Sequence, residues 1–554
     1  MDLFPFIIKS FEKTAFRNSD LAVSLLPRYE KDRLFIPPEL LQMAAEEAFR
    51  DMAFYFRENH LSLLAERLSD QGLSGNDRFV IESLLTNAVI ADREKMPTCQ
   101  DTGTAVIYGW KDEGVYTGAK DHEALERGAA AAYSKYGLRF SQFSPRTFFE
   151  EFNTGTNLPA QIHIGAVSGN EKGRADPAYR FLFVAKGGGS TNKTSYVAST
   201  PALLQEEAFA GFLEEKLRAL GTAGCPPYRL AVVAGGSSPE QNLEILKLAT
   251  AEALDAAPFF GEGPDPKSPL FRDRYWEKRI MEMGRNTGLG AQFGGTSFLL
   301  DVRVLRLSRH AATFPLSIGV SCVAHRNILA VIDKNGLRIE QLVTNPAAFL
   351  RSRGITLHSK EGALSFLRSG PAEDKKPPRI NLDRPMEEVR KDLSALSVGT
   401  RIFLSGNLIV ARDLAHLKWH GLLSLGKELP DHVRNHPIYY AGPAGTPAGK
   451  VIGSLGPTTA QRMDIYAEKL LSRGYSLISL AKGNRTKLWL EACKKYGGFF
   501  LGTIGGAAAL LAQYVTANEP VEYPELGMEA VRLIKVENLP AFIIIDDKGN
   551  DLFA

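Results

Sequence analysis

Four cysteines are the residues of this 554-residue chain whose type most readily implies chemistry: Cys99, Cys225, Cys322 and Cys493. Long stretches separate each from the next, so no pair forms a CxxC zinc or redox motif. Spacing alone favours four inert core thiols, because free cysteine is among the most buried residue types. Thiolates this far apart meet at a metal only where the fold brings them together. Their contexts divide them. Cys99 sits in Pro97-Thr98-Cys99-Gln100-Asp101-Thr102-Gly103, Cys225 lies between Gly224 and Pro226-Pro227, and Cys322 ends Ile318-Gly319-Val320-Ser321-Cys322. All three have loop-like surroundings, where residues that bind and react concentrate. Cys493, in Trp489-Leu490-Glu491-Ala492-Cys493-Lys494-Lys495, reads as an ordinary helix position. Three loop cysteines and one helical bystander is the pattern of a three-cysteine cluster.

A second group of segments is suited to holding an anion. Ala185-Lys186-Gly187-Gly188-Gly189-Ser190-Thr191-Asn192-Lys193-Thr194 joins a glycine run to a dense set of donors, whose successive N–H groups could form an anion nest. Leu138-Arg139-Phe140-Ser141-Gln142 and Ala411-Arg412-Asp413-Leu414-Ala415-His416 each place an arginine beside polar groups. In Gly456-Pro457-Thr458-Thr459-Ala460-Gln461-Arg462-Met463-Asp464, Thr458 and Arg462 would share one face of a helix. Lys482-Gly483-Asn484-Arg485 follows an apolar strand pattern. Taken singly, such a basic residue is more often a surface ion-pair partner, and the glycine run is equally well a mobile loop.

Several other patterns fail. Gly442 to Lys450 resembles a phosphate loop, but Ala444 stands where GxxxxGK needs glycine and Val451 replaces the Ser/Thr. Gly502-Thr503-Ile504-Gly505-Gly506-Ala507 lacks GxGxxG spacing and reads as a tight turn into a packed helix. The pairs His416/His420 and His432/His436 lack the glutamate of HExxH.

The elements that must position these residues are mixed. Pro37-Pro38 opens a helix whose apolar face carries Leu40, Leu41, Ala44, Ala48 and Met52, and the first third of the chain reads as mainly helical. Leu230–Ala234 is a buried-strand pattern ahead of a helix from Glu240 to Leu254. A polar, proline-rich stretch at Ser369–Pro378 has linker composition. Beyond it, strand patterns at Ile402–Leu404, Leu408–Val410, Leu477–Leu480 and Phe542–Ile545 alternate with helices, and Asp546-Asp547-Lys548-Gly549-Asn550 is a strong turn. The expected architecture is mixed α/β and α+β in two domains: residues 1–370, a linker at 371–385, and a compact C-terminal β/α domain at 386–554.

Composition excludes whole classes. With 66 Lys+Arg against 63 Asp+Glu the net charge is +3, which is not that of a chain wrapping nucleic acid. Hydrophobic residues at 44% argue against disorder. No apolar run approaches the roughly 20 residues that span a bilayer, and the N-terminus lacks the pattern of a signal peptide. The default compartment is the reducing cytoplasm, with an organelle of a eukaryotic source also compatible.

Together the chemistry-bearing segments resemble the class I, iron–sulfur-dependent fumarate hydratases over nearly the whole chain. The resemblance rests on Cys99–Gly103, Leu138–Gln142, Asn153-Thr154-Gly155-Thr156-Asn157-Leu158-Pro159-Ala160-Gln161, Gly187–Thr194 and Arg309-His310. It continues through Gly319–Cys322, Val410–Asp413, Gly456–Thr459, Lys482–Asn484 and Asp546–Asn550. It implies a [4Fe-4S] cluster on Cys99, Cys225 and Cys322, whose fourth iron, without a protein ligand, acts as a Lewis acid. It also implies a dicarboxylate held by Gln100, Asp101, Arg139, Gly187, Ser190, Thr191, Asn192, Lys193, Thr194, Arg412, Thr458, Arg462 and Lys482. Thr458 would be the carbon-proton base, Asp101 would handle the proton on the departing oxygen, and His310 would hydrogen-bond substrate or Asp101. The expected assembly is a homodimer with no nucleic-acid or membrane partner, and the C-terminal domain is expected to swivel. Phe140 and Gln461 depart from the usual tyrosine and glycine of this pattern. L(+)-tartrate or mesaconate as substrate stays open, because pocket size around one carbon decides it. A non-catalytic iron–sulfur sensor is the reading from a different class, and the intact arginine set argues against it.

Overall fold

The computed structural model describes residues 3–118, 120–167, 176–260, 268, 270–355, 357–360, 363–366 and 376–554. Early in the chain helices form where periodicity placed them. Pro38–Phe54 (α1) buries Leu40, Leu41, Ala44, Ala48 and Met52, and packs against Asp121–Lys135. Between them Gly75–Glu94 (α2) starts at Ser74, whose hydroxyl accepts the Asp77 N–H, satisfying one of the orphaned donors of a first helical turn.

Two sheets follow, built from Phe16–Asn18 (β1), Thr104–Asp112 (β2), Gln161–Val167 (β3), Tyr179–Lys186 (β4), Ser195–Ser199 (β5), Tyr228–Gly236 (β6), Leu270–Arg272 (β7), Leu299–Arg309 (β8), Phe314–Ser321 (β9), Asn327–Asp333 (β10) and Gly336–Glu340 (β11). The first has the order β1-β11-β10-β4-β2-β3, the second β5-β9-β6-β8-β7. Strand β6 is buried along its whole length, as a continuous apolar run covered on both faces requires. It lies parallel to β8, a pairing that needs a crossover, and Pro239–Thr250 (α3) begins that connection.

The C-terminal part is one sheet of Arg379–Asn381 (β12), Arg401–Val410 (β13), Ile438–Tyr439 (β14), Ile478–Ala481 (β15), Phe499–Gly502 (β16), Val515–Glu522 (β17) and Val531–Ile545 (β18), in the order β12-β13-β14-β15-β16-β18-β17. Strands β13 to β16 run parallel, with Asp413–Ser424 (α4) and Lys487–Tyr496 (α5) in the crossovers. Strand β18 is antiparallel to β16 and also to β13. This second pairing closes the sheet into a ring and removes two open edges.

Three boundaries differ from expectation. The patterns at Ile402–Leu404 and Leu408–Val410 are one strand, with a register shift between Leu404 and Gly406. Phe542–Ile545 is only the end of the long β18. Within the stretch expected to be linker, residues 371–375 lie outside the described residues, and Arg379–Asn381 pairs with Phe403–Ser405. Three residues are too few to show a strand period. One hydrophobic cluster runs from Val80, Leu84 and Ala88 of α2 to Ile402, Leu408 and Ile544 of the C-terminal sheet. The first and last thirds of the chain therefore share a core, and the architecture is mixed α/β.

Candidate active site

Arg412 follows β13 and Lys482 follows β15. Both project beyond the carboxyl ends of parallel strands, where α/β sheets commonly present their ligand crevice. Thr458 lies beside them: its N–H donates to Tyr440 O at 2.8 Å and its carbonyl accepts the Lys482 N–H at 3.1 Å. The helical turn begins only at Ala460, so the helical face expected for Thr458 and Arg462 does not form. Both nonetheless line the same cavity, of about 460 Å³. Its other walls include Gln100, Asp101, Arg139, Ser141, Gly188, Gly189, Asn192, Lys193 and Lys482.

The loop between α2 and β2 supplies the opposite side. Asp101 Oδ1 accepts the Gly103 N–H at 3.2 Å and Oδ2 the Gly188 N–H at 2.9 Å, with Arg139 Nη2 at 3.5 Å. Burial alone would raise the Asp101 pKa. Arg139, Arg326, Lys482 and the Gly188 N–H outweigh it and hold the carboxyl down at about 2. Gln100 donates to Pro457 O at 3.2 Å. The chains approach so closely here that a Cβ on Gly456 would lie 2.1 Å from Gln100 Oε1.

The glycine run forms a single helical turn, Gly188–Thr191. The Ser190 and Thr191 hydroxyls turn back to Gly187 O at 3.1 and 3.0 Å, and Thr194 N–H donates to Thr191 O at 3.1 Å. Gly187, Ser190, Thr191 and Thr194 thus shape the loop, while Asn192 and Lys193 face the cavity. The Gly188 N–H expected for an anion nest is taken by Asp101.

Arg412 lies in an adjoining cavity of about 700 Å³ that shares Arg139, Ser141 and Arg462 with the first. Its Nη2 is 2.6 Å from Glu529, and its Nε is buried without a partner. Burial, reinforced by Arg139 and Arg462, lowers its pKa to about 10 despite Glu529 and Asp413. Arg462 pairs with Asp413 at 3.1 Å.

His310 is not brought to this group. It is exposed in the turn between β8 and β9, where Nδ1 accepts the Ala312 N–H at 3.2 Å, and the expected bond to Asp101 is not made. Beta strand β9 carries His310's turn and Cys322 at opposite ends. Conversely, sequence reasoning missed Arg326, which is buried and donates to Asp101 O at 2.5 Å. Its only signal is its place four residues after Cys322.

Cys99 and Cys225 lie within electrostatic reach of Cys322 and of the cavity-lining Lys482. Lys482 Nζ donates to Cys225 Sγ at 2.8 Å. Burial pushes the Cys225 thiol up to about 12, Lys482 pulls against it, and Cys322 and Cys99 add to the rise. Burial depresses the Lys482 ammonium, but Cys225, Cys99 and Cys322 together outweigh it and raise its pKa. Cys225 itself has φ +63°, a conformation costly for a non-glycine residue and frequent at functional sites. A Cβ on Gly505 would lie 2.4 Å from Cys225 Sγ, so glycine leaves the sulfur its space.

These residues fit an iron–sulfur cluster. Cys99 senses Cys322, and Cys225 senses both; Lys482 acts on Cys99 and Cys225 and Arg326 on Cys99, and soft thiolate donors suit iron–sulfur centres. Among the described residues no three His, Cys, Asp or Glu side chains are arranged for a single metal ion. Cys493 stands apart, fully buried in α5.

The chain matches known proteins over nearly its whole length. The family model described as "Fumarate hydratase (Fumerase)" matches residues 42–331, and that described as "Fumarase C-terminus" matches residues 355–554. The aerobic class I fumarate hydratase of Escherichia coli (strain K12) is 46% identical over 550 residues, 99% of this chain and 96% of that protein. The anaerobic class I enzyme of the same organism is 48% identical over 521 residues, covering 94% of this chain and 90% of the relative. Fumarate hydratase 2 of Leishmania major is 46% identical over 527 residues, 95% of this chain and 88% of its own length. The chain belongs to the class I fumarate hydratase family of hydro-lyases.

Proposed function

We propose that this chain interconverts fumarate and (S)-malate, using a [4Fe-4S] cluster held by Cys99, Cys225 and Cys322. One observation carries the reading: Arg139, Arg462, Lys482, Asp101 and Thr458 line one cavity against the cysteine loops, although they come from segments far apart in the chain. When bound, the cluster would supply an iron without a protein ligand as a Lewis acid for a substrate oxygen.

The remaining chemistry belongs to the side chains. A four-carbon dianion needs cations at both ends. Arg139, Arg462 and Lys482 line the cavity and Arg412 lines the adjoining one; the planar guanidinium fork suits a carboxylate. Gln100, pinned to Pro457 O, is a neutral donor-acceptor beside them. Thr458 Oγ1 makes no hydrogen bond to a described residue, leaving it open to substrate. We assign it the proton on the carbon next to a carboxylate. Asp101, ionised in the resting site, takes the proton of the adding water during hydration and returns it to the departing oxygen in the reverse direction. Proton transfer by a positioned group is worth about 10²–10⁴-fold in rate.

The family resemblance further leads us to a homodimer, a cytoplasmic setting and a C-terminal unit, 386–554, that swivels against residues 1–370. The closed strand ring makes the C-terminal sheet self-contained, although α2 packs into its core. Among the described residues no helix is long and apolar enough to cross a membrane. Thr458→Ala tests the assignment of the base: kcat should fall about 10²-fold or more with KM within about threefold. Retained kcat would remove Thr458 from that role.

A further inference from the structure

Cys225 and Cys322 flank one piece of sheet. Arg229, four residues after Cys225, is the cross-strand partner of Ser321, the neighbour of Cys322. Val323 N–H also donates to Cys225 O at 3.1 Å. Whatever fixes this end of the β6–β9 ladder fixes the spacing of the two thiols.

Glu252 is placed to do so. It follows α3 in the left-handed region, φ +66°, and its side chain is about nine-tenths buried. Its carboxylate gathers Arg229 Nη2 at 2.5 Å, Arg57 Nη1 at 3.0 Å, Arg303 Nη2 at 3.3 Å, Asn59 Nδ2 at 3.1 Å and His325 Nε2 at 3.2 Å. The other ring nitrogen, His325 Nδ1, is 2.6 Å from Ser321 Oγ. A carboxylate ringed by arginines stays ionised and needs donors, so Nε2 carries the imidazole proton and the Ser321 hydroxyl donates to Nδ1. Asn327 Nδ2 lies 2.8 Å from the same Nε2, and Asn327 Oδ1 is buried without a partner. Turning that side-chain amide over lets its oxygen accept from the Nε2 proton.

Stability alone does not explain this arrangement. Buried ion pairs are often matched or bettered by apolar residues of similar volume, and left-handed backbone at a non-glycine residue is strained. We propose that Glu252, His325 and Ser321 form a positioning relay that sets Cys322 relative to Cys225, with Arg229 as its second arm. The proposal rests on the reading that these thiols hold the cluster. It concerns groups outside the cysteines, of the kind that orient metal ligands and whose loss costs about 10–100-fold in metal affinity.

Ser321→Ala cuts the relay at the cysteine end without touching the buried charges, Ser321→Thr keeps the hydroxyl, and His325→Phe removes the middle. Each would be loaded anaerobically with iron and sulfide, and two readouts taken: iron release to a ferrous chelator and the electron paramagnetic resonance of the reduced cluster. Apoprotein melting would be followed alongside. Ser321→Ala and His325→Phe should release iron about 10-fold faster than the parent and change the resonance. Apoprotein melting should stay near the parent's, and Ser321→Thr should restore both readouts. Parent-like iron release in Ser321→Ala and His325→Phe would overturn the relay, as would a loss matched by a parallel fall in apoprotein melting. A parent protein that assembles no cluster would overturn the thiol assignment, and the relay with it.

Discussion

The three loop cysteines and the helical one make opposite predictions from the same chemistry. Cys225 has Lys482 at 2.8 Å and senses Cys99 and Cys322, whereas Cys493 is fully buried in the C-terminal core and burial pushes its thiol up to about 12. Serine at 99, 225 or 322 should therefore abolish the iron–sulfur absorbance of reconstituted protein. Cys493→Ser should keep it, with any cost confined to stability, measured by thermal melting. At Arg412 the argument is geometric. Lysine keeps a charge but loses the planar fork, in a site where the guanidinium is already buried and partly neutralised by Glu529. Arg412→Lys should raise KM for malate by about 10-fold or more, equivalent to about 1.4 kcal/mol per tenfold. An unchanged KM would place Arg412 outside the binding set.

Two elements position the site, and each can be tested without touching a reacting group. The turn before residues 508–512 brings Gly505 against Cys225 Sγ. Gly505→Ala would put a methyl group 2.4 Å from that sulfur, and overpacking of this kind costs about 1–3 kcal/mol. The expected result is a lower melting temperature together with loss of the cluster signal. Helix α4 is anchored at its first turn by His416, fully buried with Nδ1 3.0 Å from Arg412 O. Burial lowers its pKa from 6.5 to about 4. The unfolded chain binds a proton at His416 near pH 6.5 while the folded protein resists until about pH 4. The histidine's contribution is thus complete above that window and is lost as pH falls through it, by up to about 1.4 kcal/mol per pH unit. Urea midpoints compared at pH 7 and pH 5 should show a shallower loss for His416→Gln, and an identical loss would refute the assignment.

Local chemistry was more legible in the sequence than partnership between elements. The cysteine loops, the glycine run and the arginine motifs stand out because glycine, proline and charge mark them, and most of them meet at one cavity. Arg326 escaped because His325-Arg326-Asn327 sets a lone charge with no glycine or proline beside it. Strand β13 reads as two pieces because Ser405-Gly406-Asn407 interrupts its apolar pattern where the register shifts. Ring closure was invisible, since a period of two tells which face a residue occupies and nothing about which strand pairs with it. His310 shows the converse: it lies within a motif, yet the fold leaves it on an exposed turn.

At the scale of the whole molecule, the candidate cavity exists only because distant segments converge. Asp101 and Arg139 come from the first third, Thr458, Arg462 and Lys482 from the last, and the core shared by α2 and the C-terminal sheet joins the two. The balanced net charge of +3 conceals this concentration, since a few cations gathered in one cavity hardly move the total. A small dianion is the ligand such a cavity favours, and water addition across its double bond is the reaction the family carries out. The most direct measurement is anaerobic reconstitution with iron and sulfide, followed by ultraviolet assay of fumarate formation from (S)-malate, with L(+)-tartrate and citramalate in parallel. Cluster-bearing protein should form fumarate from (S)-malate faster than it turns over either alternative. Cluster-bearing protein that leaves (S)-malate untouched, or that prefers L(+)-tartrate, would contradict the proposed reaction.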